Sequence, residues 1–570
     1  MVHYINKLVK KIPPVFYLFA VILLLFVVNS QYVAYPDEFV NILGGKFILE
    51  GKIPYRDFFD HHLPGAWYLS ALILLFSFGS FVKFRFLWGV VQFLILFFVG
   101  RFIQKRNKEL FSFYLGFFLI YPIITMYYWT HLFIADGIAF LFFSSLLWML
   151  LVESYQKETK LRTAIYLSLA NFIFVFSSLT YIYIALLFYV WIGILLIKSL
   201  GSHSRTFDKL SVNSGGNPVK NILLFIIISV VPYLLYGLYL LISNSWREFY
   251  ISNFVYNTTL YMHVPNYTPG RYFNPIKFAL TIIYNFYDTY IQLLVRIKEF
   301  NLYFPVDLVL ALSTFILFIY LLKELPLIGI LYFFVLSFSA PRSNLMKIGE
   351  TDYQSGLFIA IGAISFFFLL WRYKYIQFIF EPLEIIRKFL VALVVLYGIF
   401  AGLFLVQNSY NKFYLRHTQK MPSIYDHAPT ALFINEVLGK GDYYWVGPYE
   451  PQEEFFVKQA MLPGKFPTLL PQFRESEYFS SKFIEQFEAH MPKIIMYKHE
   501  ASIFGTPAME FGKFFTDWME GRYISIENIK GTTVLKSPET FTMRSDIYLL
   551  KSEKDILMKK MSEKGYVEIK

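Results

Sequence analysis

The chain has 570 residues, of which 56% are hydrophobic, 21% aromatic and only 16% charged, with a mean hydropathy of +0.48. A soluble protein usually carries about 25% charged residues, so this composition points away from a soluble enzyme and toward a polytopic membrane protein. The absence of cysteine removes disulfides, thiolate catalysis and cysteine-ligated zinc together. The net charge is +12, and its location matters more than its size: residues 1–408 hold 31 basic and 19 acidic side chains, whereas 409–570 hold 21 of each. A basic excess confined to the apolar part reports membrane topology rather than nucleic-acid binding, and no nucleic-acid partner is expected.

In chain order, the N-terminal MVHYINKLVKK has the charge of a signal peptide's first region. Residues 14–34 that follow are long enough to span, and no small-residue cleavage site comes after them, which predicts a retained first helix. Further spans are expected at 85–103, 110–129, 135–152, 161–179, 181–198, 221–242, 303–322, 325–341, 356–371 and 388–407. The stretch 64–82 is apolar enough to cross as well, and charge decides between the two topologies. Without that crossing, 19 basic residues fall inside and 12 outside; with it the numbers reverse. The first arrangement predicts 11 spans, an inner N-terminus, an outer tail, and 64–82 lying in the outer interface. The loop 198–220, rich in Ser, Gly and Asn, reads as a flexible inner linker. Residues 243–302 read as a long outer segment, within which 273–298 is a second candidate interfacial helix.

From about 409 the composition becomes that of a soluble domain. DYYWVGP, PKIIMYK, TTVLKS and DIYLLK read as short strands, with EEFFVKQAM, SKFIEQFEAHM and MEFGKFFTDWME as helices between them. The expected architecture is a transmembrane domain over 1–408 with its first outer loop at 35–84, followed by an extracytoplasmic α/β domain over 409–570.

The first outer loop is unusually charged. YPDEFVNILGGKFILEGKIPYRDFFDHHLPGAWY, residues 35–68, gathers Asp37, Glu38, Glu50, Asp57 and Asp60 beside Lys46, Lys52, Arg56, His61 and His62. Asp37 follows the first span at interfacial depth, where a carboxylate suits a general base acting on an acceptor hydroxyl; Pro36-Asp37-Glu38 equally suits a plain helix start. Asp136, in WTHLFIADGIAF, is either a site residue or the N-cap of the next helix. Arg342 and Lys347, in SAPRSNLMKIGETDY, suit a lipid phosphate, or headgroups in general. His61-His62 could ligate a metal, but hydrogen bonding to a phosphate or to the loop itself is the favoured reading. Topology places all of these on one outer face.

Together these features resemble the GT-C glycosyltransferases: an acidic pair after the first span, then G-x-x-P-Y-x-D (Gly51, Pro54, Tyr55, Asp57), then HHLPG ahead of an interfacial helix. Protein O-mannosyltransferases and the lipid A aminoarabinose transferases are the most similar in pattern. The resemblance implies a multi-span domain with an outward-facing active site, and a sugar donor carried on a polyprenyl phosphate. By position, Asp37 matches the catalytic acid of the first loop, Glu38 its companion, and Asp136 the acidic residue of the second outer loop. Arg342 and Lys347 fall where the family binds phosphate, with Arg56, His61 and His62 as further candidates on the donor phosphate. The doubled His61-His62 departs from the commoner single histidine before the proline. A divalent metal (Mg or Mn), held by Asp37, Asp136 or His62, is compatible with the pattern but not demanded by it. The implied reaction is inverting sugar transfer to a lipid, glycan or protein hydroxyl. A lipid or glycan transporter and an O-antigen ligase or polymerase are the rival readings.

Overall fold

The computed structural model describes residues 14–32, 34–204, 218–261, 305–339, 352–376, 428–535 and 546–569, with isolated positions between 396 and 414. Two compact units emerge. The first comprises Met1–Val33, Val82–Tyr236 and Pro275–Ser423; the second comprises Ala34–Phe81, Gly237–Asn274 and Ile424–Lys570.

The first unit is helical. Among the described residues of the chain, six helices are long and apolar enough to cross a membrane: Phe81–Arg106, Lys108–Tyr127, Ala135–Ser154, Leu179–Ser199, Asn221–Ile242 and Tyr353–Arg372. They coincide with six of the expected spans. Pro14–Ser30, Leu161–Ser177, Pro305–Glu324 and Pro326–Phe338 are helices at four more. The span expected at 388–407 and the helix expected at 273–298 lie, isolated positions aside, outside the described residues. Ala135–Ser154 is apolar all round and buried along nearly its whole length, as a central helix should be. Its neighbours include Leu161–Ser177 and Gly356–Ile376.

Small residues set how closely these helices approach. A Cβ added at Gly362 would stand 2.7 Å from that of Leu310, and one at Gly329 would stand 2.6 Å from the backbone of Leu322. The buried guanidinium of Arg85 donates to the carbonyls of Tyr32 (2.6 Å) and Ser30 (3.4 Å), satisfying groups freed where the first helix ends.

The second unit is built on a four-stranded sheet of β1 (Tyr444–Gly447), β2 (Ile494–Tyr497), β5 (Tyr523–Ser525) and β7 (Asp546–Leu550), in the order β1-β2-β7-β5. β1 and β2 are parallel, and the other pairings are antiparallel. The short pairs β3 (Ser502–Ile503) with β4 (Thr506–Pro507), and β6 (Thr532–Val534) with β8 (Val567–Ile569), stand apart from it. Period-two alternation sends Tyr444, Val446, Ile494, Met496, Ile547 and Leu549 to one face, under the helices Pro429–Val437 and Lys554–Glu563. Trp445, Ile495, Tyr497 and Tyr523 face the other way, toward Glu477–Ala489 and Lys513–Met519. All four predicted strands are present, and so is the helix predicted over SKFIEQFEAHM; EEFFVKQAM is helical only as far as Phe456, and MEFGKFFTDWME forms two short helices, Ala508–Phe511 and Lys513–Met519, on either side of Gly512. The helices at 429–437 and 554–563 and the strands β5 and β8 extend them.

The tail does not close its core alone. Phe59 from the first loop is only 6% exposed, and its ring packs against Phe466, Phe473, Phe479 and Tyr256 at centroid distances of 5.2–5.6 Å. Tyr256 arrives from the π-helix Ile251–Leu260. The compact unit around the tail therefore takes in residues 34–81 and 237–274, which the expected boundary at 409 leaves with the membrane domain. Removing the Phe59 ring should cost about 3–5 kcal/mol. Phe59→Ala is accordingly expected to lower the melting temperature of the detergent-purified chain by ten degrees or more; an unchanged transition would show that the loop does not belong to this core.

Candidate active site in the first loop

Asp37 and Glu38 occupy the first turn of the helix Pro36–Leu49, whose start is set by Pro36 and the extended Tyr35 before it. Carboxylates here meet the positive end of the helix dipole. Glu38 is fully buried, while Asp37 is partly exposed. The Tyr449 hydroxyl donates to Asp37 Oδ1 at 2.9 Å. Gly44 and Gly45 let this helix lie flush on Gly65–Ser77: added Cβ atoms would stand 2.6 Å from Trp67 and 2.2 Å from the Ser70 hydroxyl. Gly65–Ser77 has 13 residues, about 20 Å at ~1.5 Å per residue, too short to cross a ~30 Å hydrocarbon core upright.

The G-x-x-P-Y-x-D motif is the scaffold of the loop. Gly51 takes φ +83° just past the helix end, which only glycine does at little cost. Asp57 Oδ2 accepts the Ile53 N–H at 2.8 Å and closes the turn. Tyr55, fully buried at φ +66°, donates its hydroxyl to the His62 carbonyl at 2.8 Å. Arg56, a candidate phosphate ligand by sequence, makes a two-pronged pair with Asp57 (2.8 and 2.9 Å) and also donates to the Ser243 carbonyl. Its guanidinium thus braces the loop.

Tyr55 holds the backbone from which His61 and His62 project, and Asp60 organises the pair. Asp60 is buried; its Oδ1 accepts the His62 N–H at 3.0 Å and lies 2.7 Å from His62 Nδ1 and 3.7 Å from His61 Nδ1. Burial pushes the Asp60 carboxyl upward, but His62, its hydrogen bonds and His61 outweigh it and hold the group below its ordinary range. Burial, reinforced by His62 and opposed by Asp60, pushes His61 down to about 3. His61 is therefore neutral at physiological pH. One ligand atom from each of the three side chains lies within 4.8 Å of the others, and this is where the described residues could hold a metal ion. An ionised carboxylate beside a neutral imidazole suits a cation better than direct contact with an anion.

The other sequence-derived residues divide. Asp136 belongs to the first unit, in the opening turn of Ala135–Ser154, and accepts a hydrogen bond from the Tyr181 hydroxyl. The N-cap of that helix is Ile134, so Asp136 meets the helix dipole from inside the first turn instead of capping it. Arg342 and Lys347 lie outside the described residues.

Sequence reading missed the segment Tyr449–Val457. Lys46 donates to the carbonyls of Glu454, Phe455 and Val457 at 3.2, 3.1 and 2.7 Å, at the C-terminal end of the short helix Pro451–Phe456 and its cap. Around it lie three carboxyl groups. Glu450 pairs with buried Lys498 at 2.6 Å; Glu453 accepts the Ala431 N–H at 3.1 Å; Glu454 is buried close to Lys46. Burial raises all three, against Lys498 at Glu450 and against Lys46 at Glu454. Glu453 is pushed up to about 7, mainly by burial, with the Ala431 bond opposing and Glu450 adding. The only sequence signal was an acidic triplet in a domain that is charged throughout.

No family model matches the chain, and no curated protein matches it in sequence. Two solved structures are similar along most of its length. The crystal structure of ArnT from Cupriavidus metallidurans bound to undecaprenyl phosphate aligns over 94% of this chain and 97% of that one, with 12% identity and a TM-score of 0.46. The same protein in the apo state aligns over the same shares with 9% identity and a TM-score of 0.32. The likeness is distant.

The protonation of Glu453 gives a pH test. Below its ordinary value of 4.5, folded and unfolded chains both carry the proton. Between 4.5 and about 7 the unfolded chain ionises while the folded one does not, so stability falls as pH rises, by about 3 kcal/mol in all. Gln at 453 keeps an acceptor for Ala431 without the titration. Glu453→Gln should melt several degrees above wild type at pH 8 and level with it near pH 4.5; equal melting at both would refute a buried neutral Glu453.

Proposed function

We propose that this chain is a membrane glycosyltransferase that moves a sugar from a polyprenyl-phosphate carrier to an acceptor hydroxyl at the outer face of the cell membrane. The observation that carries this reading is Asp37. A partly exposed carboxylate stands in the first turn of the helix Pro36–Leu49, receives the Tyr449 hydroxyl, and is followed by a loop pattern that resembles that of the GT-C enzymes. Asp37 takes the acceptor's proton as the acceptor oxygen attacks the anomeric carbon from the side opposite the leaving group. The bond from that carbon to the phosphate oxygen breaks, the configuration inverts, and polyprenyl phosphate departs with the electron pair. Glu38, fully buried in the same helix turn, is proposed as the companion of Asp37. Arg342 and Lys347 are the proposed phosphate-binding cations, and Asp136 the proposed second acidic residue.

Asp60, His61 and His62 would hold a divalent cation such as Mn or Mg, whose chemistry is to neutralise phosphate charge. The acceptor is a lipid, glycan or protein hydroxyl, and undecaprenyl phosphate is the carrier to test first.

Asp37→Asn keeps shape and hydrogen bonding but removes the base. It should fold and insert normally and lose sugar transfer by about 10²–10⁴-fold. Near-normal turnover would rule out Asp37 as the base. The same assay run with a chelator, then with Mn restored, reads the cation: full activity under chelation would remove it from the account while leaving Asp37 in place.

A further inference from the structure

Asp37 and Tyr449 are 412 residues apart in sequence, yet their side chains meet at 2.9 Å. The contact is held at both ends. Tyr449 lies two residues beyond β1, and the backbone before it is pinned by the Leu469 N–H on the Pro448 carbonyl (2.8 Å) and the Lys498 N–H on the Gly447 carbonyl (3.0 Å). On its other side the buried Glu450–Lys498 pair fixes the next residue. Four to seven residues beyond Glu450, Lys46 takes the carbonyls of Glu454, Phe455 and Val457 at the end of the helix Pro451–Phe456. Lys46 and Asp37 belong to one helix, so the segment Tyr449–Val457 is fastened near both ends of the helix that carries the base. Phe39, two residues after Asp37, packs against Phe455 and Phe456 at 6.0 and 6.2 Å between them.

We propose that Tyr449, supplied by the C-terminal domain, is a positioning residue for Asp37, so that the tail completes the catalytic loop. This inference rests on the reading of Asp37 as the base. The hydroxyl fixes the rotation of the carboxylate, so that it meets the acceptor in one orientation and not in several. Such a contact acts on the geometry of attack and therefore on kcat, while leaving donor and acceptor binding alone. Burial, with Asp37 adding, raises the Tyr449 phenol well above its ordinary range, which keeps its proton on and its role that of a donor.

Tyr449→Phe removes one oxygen and keeps the ring. The test uses the full-length protein in detergent, undecaprenyl-phosphate sugars as donors, and activity normalised to the folded fraction read from the melting transition. Tyr449→Phe is expected to lower kcat about tenfold or more, the usual effect of losing a hydrogen bond to a charged group, with the donor KM within about twofold of wild type. The double variant Asp37→Asn/Tyr449→Phe should be no slower than Asp37→Asn alone, because the hydroxyl acts only through that carboxylate. A Tyr449→Phe enzyme with wild-type kcat, beside an inactive Asp37→Asn, would overturn the positioning role and leave the base intact. A fall in melting temperature with kcat unchanged per folded molecule would likewise overturn it, reducing the contact to a structural one. Activity retained by Asp37→Asn would instead overturn the underlying reading of the base.

Discussion

Phe59 inside the core of the C-terminal domain is the contact on which the second unit depends. It makes the charged loop of residues 35–68 part of a sheet-based domain with two aromatic and aliphatic cores. Tyr256 enters the same core from the π-helix Ile251–Leu260, and the Asn257 side chain donates to the His61 carbonyl at 2.9 Å. Three stretches far apart in sequence are thereby held in one compact body. Loop rigidity, and with it the placing of Asp37, follows from that burial.

Electrostatics then explains how so many ionisable groups are accommodated together. Most are spent on architecture. Asp57 and Arg56 neutralise one another across the turn, Lys46 caps a helix end, and Glu450 answers Lys498. Glu453 and Glu454, too deeply buried to ionise cheaply, keep their protons at neutral pH or near it. Outside these pairs stand Asp37, in the first turn of Pro36–Leu49, and the Asp60-His61-His62 group at the loop's end, the residues to which the proposal assigns the chemistry. The opening carboxylate pair divides by burial: one member reaches the surface and its neighbour supports it from inside.

Much of this was legible in the sequence, and the reason lies in how local each signal is. Apolar runs of membrane-spanning length gave helices within a few residues of their ends, because in lipid the backbone has no other way to satisfy its polar groups. Short, nearly uninterrupted apolar runs in DYYWVGP and PKIIMYK gave β1 and β2, because strands buried on both faces leave few polar interruptions. Contacts between distant segments left no comparable trace. Nothing periodic marks Phe59 as a core residue of a domain that begins about 370 residues later, and Tyr449 is one tyrosine among 44. The loop motif was visible but its work was not. Gly51, Tyr55 and Asp57 shape the chain, whereas by pattern alone Arg56 and Asp60 could have been exchanged in role.

The central claim is that the chain transfers a sugar from a polyprenyl-phosphate carrier to a hydroxyl outside the membrane. Mass spectrometry of envelope glycolipids and glycoproteins, compared between cells with the intact chain and cells lacking it, tests this most directly. The account predicts at least one lipid, glycan or protein that loses a single sugar unit without the chain, with the matching polyprenyl-phosphate sugar accumulating. Identical profiles, with no change in the carrier pool, would contradict it.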